Sequence, residues 1–477
     1  MTENHWAYWS LKLRTPSLLS GFQSCCRIVK NKEKSMFQSE EKIEMFFSKE
    51  LWEKAVQHCI DKGIKPVELS IFTTAGFRAR LYEDMLAGKY KVAPPHIALI
   101  PKEDKNEFRR VYVNTVLDRL VLTIINEVYS NMYGHLIHPK CVSYRKGIGV
   151  KNIVRQISKE LVQHDSKMCC GYKIDISKYF DSVSRETMNN VLKSVSTGSC
   201  LDQILYDYYN DDVIMDEDGN LVEHYKSLCQ GCAPSAFFAN LTLREVDDAM
   251  DEMCDIYYRY SDDLLIIGRN SDKALEKLQG ILAKKGLKVN PKKVKPIYPG
   301  EWFEFLGCKI KGNNISLNRK SLDNFTSEMK DRTRYPKDKK HRKGCSEVEL
   351  KRMIRSINRY LYTGYIKNSS VFGWGEYFFS IINCEKDIET MDTWLKDWLR
   401  GCATGNTKGW QIGGLGNVNT ETDYVVKRGK GSNIWGNYEK TDKLLERCGY
   451  VSMHHLWKVY KTDHDVYESE IYQLMMK

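Results

Sequence analysis

Apolar and polar positions change period several times along the chain, and each change marks an element. Between about residues 40 and 90, Phe46, Phe47, Leu51, Ala55 and Cys59 recur at helical spacing, with Pro66 and Gly88 as punctuation. A short strand-like stretch follows from His96 to Lys102, then a charged turn and a second strand from Arg109 to Val113. Asp118 to Tyr129 returns to helical period. From about 166 to 310 strands alternate with helices, and the runs Ile256-Tyr257-Tyr258 and Leu264-Leu265-Ile266-Ile267 predict a strand–turn–strand around Tyr260-Ser261-Asp262-Asp263. Beyond 315 the pattern is mostly helical. Leu350, Met353, Ile354, Ile357 and Leu361 form one stripe over Glu347–Tyr362, and Met391, Trp394, Leu395 and Trp398 another over Ile388–Leu399. From about 403 the chain turns Gly/Asn-rich and then mixed, with several tyrosines. The succession is α+β rather than a repeating βαβ.

Composition narrows the partner class. A chain of 477 residues is long enough for two to four domains. Its net charge of +11 is unevenly spread: residues 311–363 hold fifteen Lys/Arg against six Asp/Glu. Such a local excess suits a polyanion, although a basic run alone reads equally well as a solvated face. Fifteen cysteines in no regular framework suit a reducing compartment, so a cytoplasmic location is expected. The one C-x-x-C, Cys229 to Cys232, has no second pair at zinc-finger spacing and reads as incidental. No apolar stretch is long enough to span a bilayer, and that of the first forty residues is too short and broken for a secretory leader. Met36 could serve as an alternative start.

The acidic residues carry the chemistry. Asp262 and Asp263 at the tip of a strand–turn–strand repel one another unless a cation neutralises them. A second arrangement, Asp175-Ile176-Ser177-Lys178-Tyr179-Phe180-Asp181, ends an earlier strand-like run. Hard oxygen ligands from separate strand ends are what a two-metal phosphoryl-transfer site needs.

The order of the motifs adds a family. Asp175 is followed by Gln230-Gly231-Cys232-Ala233-Pro234-Ser235, then Tyr260-Ser261-Asp262-Asp263, Gly286-Leu287-Lys288-Val289-Asn290-Pro291-Lys292-Lys293, and Phe305-Leu306-Gly307. This series resembles the palm motifs of reverse transcriptases, and within them the bacterial group II intron and retron enzymes. Ile100-Pro101-Lys102, Arg109, Asp118-Arg119 and Tyr144-Arg145-Lys146-Gly147 resemble that group's fingers motifs. The resemblance implies an α+β right-hand polymerase fold: an extension at 1–40, fingers at 41–165, palm at 166–310, a basic helical thumb at 311–405 and a C-terminal extension at 406–477.

It also implies roles. Asp175 and Asp262 ligate two Mg²⁺ ions, or Mn²⁺ in their place, with the Ile176 carbonyl as an extra ligand and Asp263 in support. Lys102 and Arg109 clamp the triphosphate, with Arg110 an adjacent competitor for that place. Phe180 gates the nucleotide sugar, Gln230 contacts the nucleotide, and Lys293 protonates the departing pyrophosphate. Gly231, Tyr260 and the primer grip Phe305-Leu306-Gly307 meet primer and template, while Lys351, Arg355 and Arg359 track the duplex backbone. Phe180 as plain core packing and the basic stripe as a solvated face are the plainer alternatives. The sequence departs from the family pattern in Ala236 after Ser235, in Ser261 and in Val294, none of which removes a metal ligand.

The expected partners are an RNA template, a DNA product and deoxynucleotides, with no membrane and with homo-oligomerisation open. No ribonuclease H carboxylate set, endonuclease motif or DNA-binding finger is evident, so the chain looks more like the defence-associated bacterial enzymes that copy a partner noncoding RNA against phage. Two alternatives stand beside it. One is a template-independent or protein-primed polymerase using a C-terminal tyrosine; the other is a maturase-like RNA-binding cofactor.

Overall fold

The computed structural model describes residues 37–101, 107–165, 169–333, 344–367, 370–405, 411–414, 424–427 and 438–476. The N-terminal part is helical as the spacing predicts, with helices at Lys49–Asp61, Pro66–Ser70 and Ala75–Leu86. Ser48 and Thr74 cap two of them by accepting from Leu51 and Phe77 backbone N–H groups. Strands β1 (His96–Pro101) and β2 (Phe108–Val113) form an antiparallel hairpin with Ile100 opposite Arg109. Lys102 lies outside the described residues. The predicted helix from Asp118 begins at Val116, where Thr115 accepts from the Asp118 N–H, and runs to Tyr133 through the middle of the core.

The central sheet has the order β6-β7-β3-β8, built from β3 (Gly171–Asp175), β6 (Ile256–Tyr260), β7 (Asp263–Ile267) and β8 (Lys295–Ile297). All pairings in it are antiparallel. Both faces are covered, so β7 reads as a continuous apolar run rather than an alternating one. Leu264 and Ile266 join the core that holds the helices Val116–Tyr133, Ala233–Thr242 and Ser271–Lys284. Leu265 and Ile267 face a second cluster, with Ile153, Val154 and Ile157 of the helix Val150–Gln163 and Phe303, Phe305 and Ile310. Gly171 is required by close packing: a Cβ there would collide with the Ile266 carbonyl of β7. A separate hairpin, β4 (Val213–Met215) and β5 (Leu221–Glu223), extends the β1–β2 sheet through β4.

Beyond a three-stranded sheet of β9 (Phe303–Phe305), β10 (Cys308–Lys311) and β11 (Asn314–Leu317), the chain is mostly helical. The helix predicted over Glu347–Tyr362 is α-helical only to Asn358, and Arg359–Thr363 continues it as a π turn. The one expected over Ile388–Leu399 is longer, Glu385–Thr404. The mixed C-terminal segment supplies helices Tyr438–Arg447, Met453–Thr462 and His464–Met476. Leu445, Met453, Leu456 and Ile471 from it share one core with Leu350, Ile354 and Trp394. No helix among the described residues is long and apolar enough to cross a membrane.

Candidate active site

The register of β3 on β7 sets Asp175 opposite Asp263, so the two side chains share a face. The turn between β6 and β7 is Ser261-Asp262, with Ser261 at φ +59°. The Ile176 N–H donates to the Asp262 carbonyl at 3.0 Å, and the Asn290 N–H to the Asp175 carbonyl at 2.8 Å. Three segments far apart in sequence are thereby locked together by backbone hydrogen bonds. Asp175, Asp262 and Asp263 converge at the strand ends as the motif order predicts.

Their electrostatics follow from burial and proximity. Burial holds the Asp262 carboxyl above the ordinary carboxylate range, and the neighbouring Asp175 and Asp263 push it the same way. Asp263 is raised by burial and by Asp175, and Lys173 opposes this from 3.5 Å. Lys293 Nζ donates to Asp175 Oδ2 at 2.8 Å, and that bond raises the Lys293 ammonium's own pKa. Sequence reasoning missed Lys173. Its signal is its place two residues before Asp175 on the same strand face.

Among the described residues, no group of three or more His, Cys, Asp or Glu side chains forms a metal cage by itself. The donor set nonetheless fits Mg²⁺, which is ordinarily held by one or two carboxylates completed by substrate phosphates and water. Two carboxyls destabilised by burial and mutual repulsion, with two lysines drawn in against them, mark a pocket of negative potential suited to a hard cation.

The other expected residues fall around this centre to different degrees. Phe180 is half-buried against the main core and meets Tyr179 edge-on, and its carbonyl accepts from the Leu228 N–H at 3.1 Å. The Gln230 carbonyl accepts from the Tyr112 N–H at 2.7 Å, tying this motif to β2. Gly231 at φ +104° has no space for a side chain: a Cβ would lie 2.6 Å from Val111 Cγ1 and 2.7 Å from the Tyr112 carbonyl. Arg109 and Arg110 alternate on β2. Both are exposed; Arg110 Nη1 approaches His224 Nε2 at 3.3 Å, and Arg109 lies on the opposite face of the strand.

Tyr260 packs against Tyr144, whose hydroxyl reaches Ser261 Oγ at 3.3 Å. Phe305-Leu306-Gly307 makes the tight link between β9 and β10, with Leu306 and Gly307 both at positive φ. Lys351, Arg355 and Arg359 are all exposed and successive at four-residue spacing; Lys351 pairs with Glu347 at 3.4 Å. Cys229 and Cys232 are buried, and burial pushes their thiols up to about 12 and about 11. They read as packing, as the sequence suggests.

Asp175 opposite Asp263 at the ends of antiparallel strands, with Asp262 in the adjoining turn, in a chain of mixed helices and sheets, defines an α+β polymerase fold. Residues 100–310 match the family model described as reverse transcriptase (RNA-dependent DNA polymerase). Among solved structures, the chain is similar to an apo telomerase from Candida tropicalis truncated from the C-terminal domain. That match has 14% identity and TM-score 0.36, over 48% of this chain and 56% of the other. Apo telomerase from Candida tropicalis matches at 14% identity and TM-score 0.38, over 67% and 62%. Telomerase from Candida albicans in complex with a fragment of telomeric RNA matches at 12% and 0.37, over 84% and 69%. The chain thus spans 56% and 62% of the first two of these relatives. No curated protein matches it.

Proposed function

We propose that this chain is a reverse transcriptase that extends a primer with deoxynucleotides on an RNA template. The observation that carries this reading is the register of Asp175 against Asp263, with the Asp262 carbonyl held by the Ile176 N–H. Asp175, Asp262 and the Ile176 carbonyl are the residues to hold two Mg²⁺ ions, with Asp263 supporting. When bound, the ions lower the pKa of the primer 3′-hydroxyl and neutralise charge on the triphosphate, with Mn²⁺ the expected substitute. The primer oxygen attacks the α-phosphorus, the bond to the β-phosphate oxygen breaks, and pyrophosphate leaves. Lys293, already protonated beside Asp175, is the group to give pyrophosphate its proton. Arg109, with Lys102, orients the triphosphate, Gln230 and Gly231 face the nucleotide and template, and the Phe180 ring fills the space a 2′-hydroxyl would need.

The proposed division follows the motifs: fingers at 41–165, palm at 166–310 and thumb at 311–405, the last sharing its core with the helices after 438. Lys351, Arg355 and Arg359 lie on the face proposed to follow the duplex. The finer assignment is a bacterial enzyme of the group II intron and retron-like lineage, serving phage defence by copying a partner noncoding RNA in the cytoplasm. It rests on the motif likeness described above. Protein priming remains the second reading. Tyr450 and Tyr467 are buried, whereas Tyr472 at 60% exposure could present a hydroxyl. Primer extension on RNA and DNA templates by wild type and Asp175→Ala, with sequencing of co-purified nucleic acid, tests the proposal. Extension by the wild type alone supports it; equal extension by both removes the assigned site. A product that enters the aqueous phase only after protease treatment selects the protein-primed reading.

A further inference from the structure

Arg259 precedes Tyr260 at the end of β6 and is fully buried, as is its partner Asp247 in the helix Arg244–Met253. Its Nε and Nη2 each donate to Asp247 at 2.6 Å, one to each carboxylate oxygen. Nη2 also donates to the Asn240 carbonyl at 3.0 Å, and Nη1 to the Ser261 carbonyl at 3.2 Å. The Tyr257 hydroxyl adds a bond to Asp247 at 2.6 Å, and the Asn240 side chain exchanges hydrogen bonds with Ser143. The Arg259 backbone N–H donates to the Lys140 carbonyl, and the Arg259 carbonyl accepts from the Val142 N–H.

A buried ion pair is a poor device for stability alone, because desolvation offsets much of the attraction and apolar replacements often do as well. What this one does is geometric. The Ser261 carbonyl and the Asp262 N–H lie in one rigid peptide plane, so holding that oxygen sets the direction in which Asp262 leaves the turn. Ser261 sits at φ +59°, a conformation that residues other than Gly, Asn and Asp adopt at a cost. The same guanidinium reaches the helix Ala233–Thr242, which begins just after Gln230-Gly231.

We propose that Arg259 is a positioning residue that holds the Asp262–Asp263 turn in its cation-binding geometry and in register with the segment under the nucleotide. This rests on the polymerase reading above.

Arg259→Lys keeps the charge but cannot span Asp247 and the Ser261 carbonyl at once. The expected result is a kcat about 100-fold lower with a nearly unchanged deoxynucleotide KM. The Mg²⁺ concentration giving half of the metal-induced rise in melting temperature should increase about tenfold. Adding Ser261→Gly should recover a measurable part of both, because Gly takes the turn conformation without strain. Tyr257→Phe, which removes a bond to Asp247 and leaves the Ser261 contact, should lower the melting temperature while kcat holds. Arg259→Lys with full kcat and an unshifted Mg²⁺ response, or no recovery on adding Ser261→Gly, overturns the proposal. Should Arg259→Lys not fold, Asp247→Asn carries the same expectations. If the wild type extends no primer, the polymerase reading fails; the metal-linked melting shift still compares the turn in wild type and variant.

Discussion

Replacing Asp262 by Asn should make the metal-free protein more stable while removing its response to Mg²⁺. Three carboxylates converge at the ends of β3 and β7, and burial together with the other two holds Asp262 above the ordinary carboxylate range. Because the folded-state pKa is raised, the folded protein binds the proton more tightly than the unfolded chain. The group's contribution is therefore favourable below the unfolded carboxylate range. It is lost as pH rises through the raised folded value, leaving the full cost at neutral pH. The charges acting on Asp262 are Asp175, whose strand end is joined to the Asp262 carbonyl through the Ile176 N–H, and the next residue, Asp263; a separation of about 5 Å sets the scale for one such neighbour. Two unit charges at that distance, at an effective dielectric of about 20, repel by about 3 kcal/mol. Lys293 at 2.8 Å from Asp175 and Lys173 at 3.5 Å from Asp263 offset part of this, and water reaching the partly exposed carboxyls screens more. A net gain of about 1–2 kcal/mol for Asp262→Asn remains, or roughly 2–8 °C in the melting temperature of a domain of this size. The assay is thermal unfolding near pH 7.5 in chelator and in saturating Mg²⁺. The variant should melt higher than wild type in chelator and should lack the wild type's rise with Mg²⁺, and the gap in chelator should close as pH falls toward 5. A variant that melts lower in chelator at pH 7.5, or a gap that widens on acidification, would refute the electrostatic account.

Other outcomes follow from the same geometry. Phe180→Ala should raise ribonucleotide incorporation relative to deoxynucleotide in single-nucleotide extension; unchanged sugar selectivity returns Phe180 to plain core packing. Gly231→Ala places a Cβ against Val111 and the Tyr112 carbonyl at positive φ, and should cost about 1–3 kcal/mol in denaturant unfolding along with activity. A variant as stable as wild type would show that β2 yields there. Glu in place of Lys351, Arg355 and Arg359 together should weaken duplex binding and flatten its salt dependence, with the slope of log affinity against log salt falling by about 2–3. Retention of both properties would leave the stripe a solvated face.

Much of the site was legible in the chain because its signals are local. A charged pair between two apolar runs announces a turn between buried strands, and Asp175 at the end of another run announces a second strand end. Helical period was equally local, but it placed one start at Asp118, whereas the structure begins that helix at Val116 behind the Thr115 cap. Three features were not legible. Arg109 and Arg110 point to opposite faces by the period of a strand, but only the packing of β2 beside His224 tells which face is which. The roles of Lys173 and Arg259 depend on partners from other elements, Asp263 across the sheet and Asp247 below it. The C-terminal helices looked like a separate extension, yet they share the core of Leu350 and Trp394.

The sequence by itself determined the element types and the chemistry, because hydrophobic period and ligand type are properties of short stretches. Tertiary structure alone decided register: which carboxylate faces which, and which cation settles between them. The reason is physical. Backbone hydrogen bonds from Ile176 to Asp262 and from Asn290 to Asp175 join segments whose sequences carry no mark of one another, and only the packing of the sheet between two cores selects that pairing.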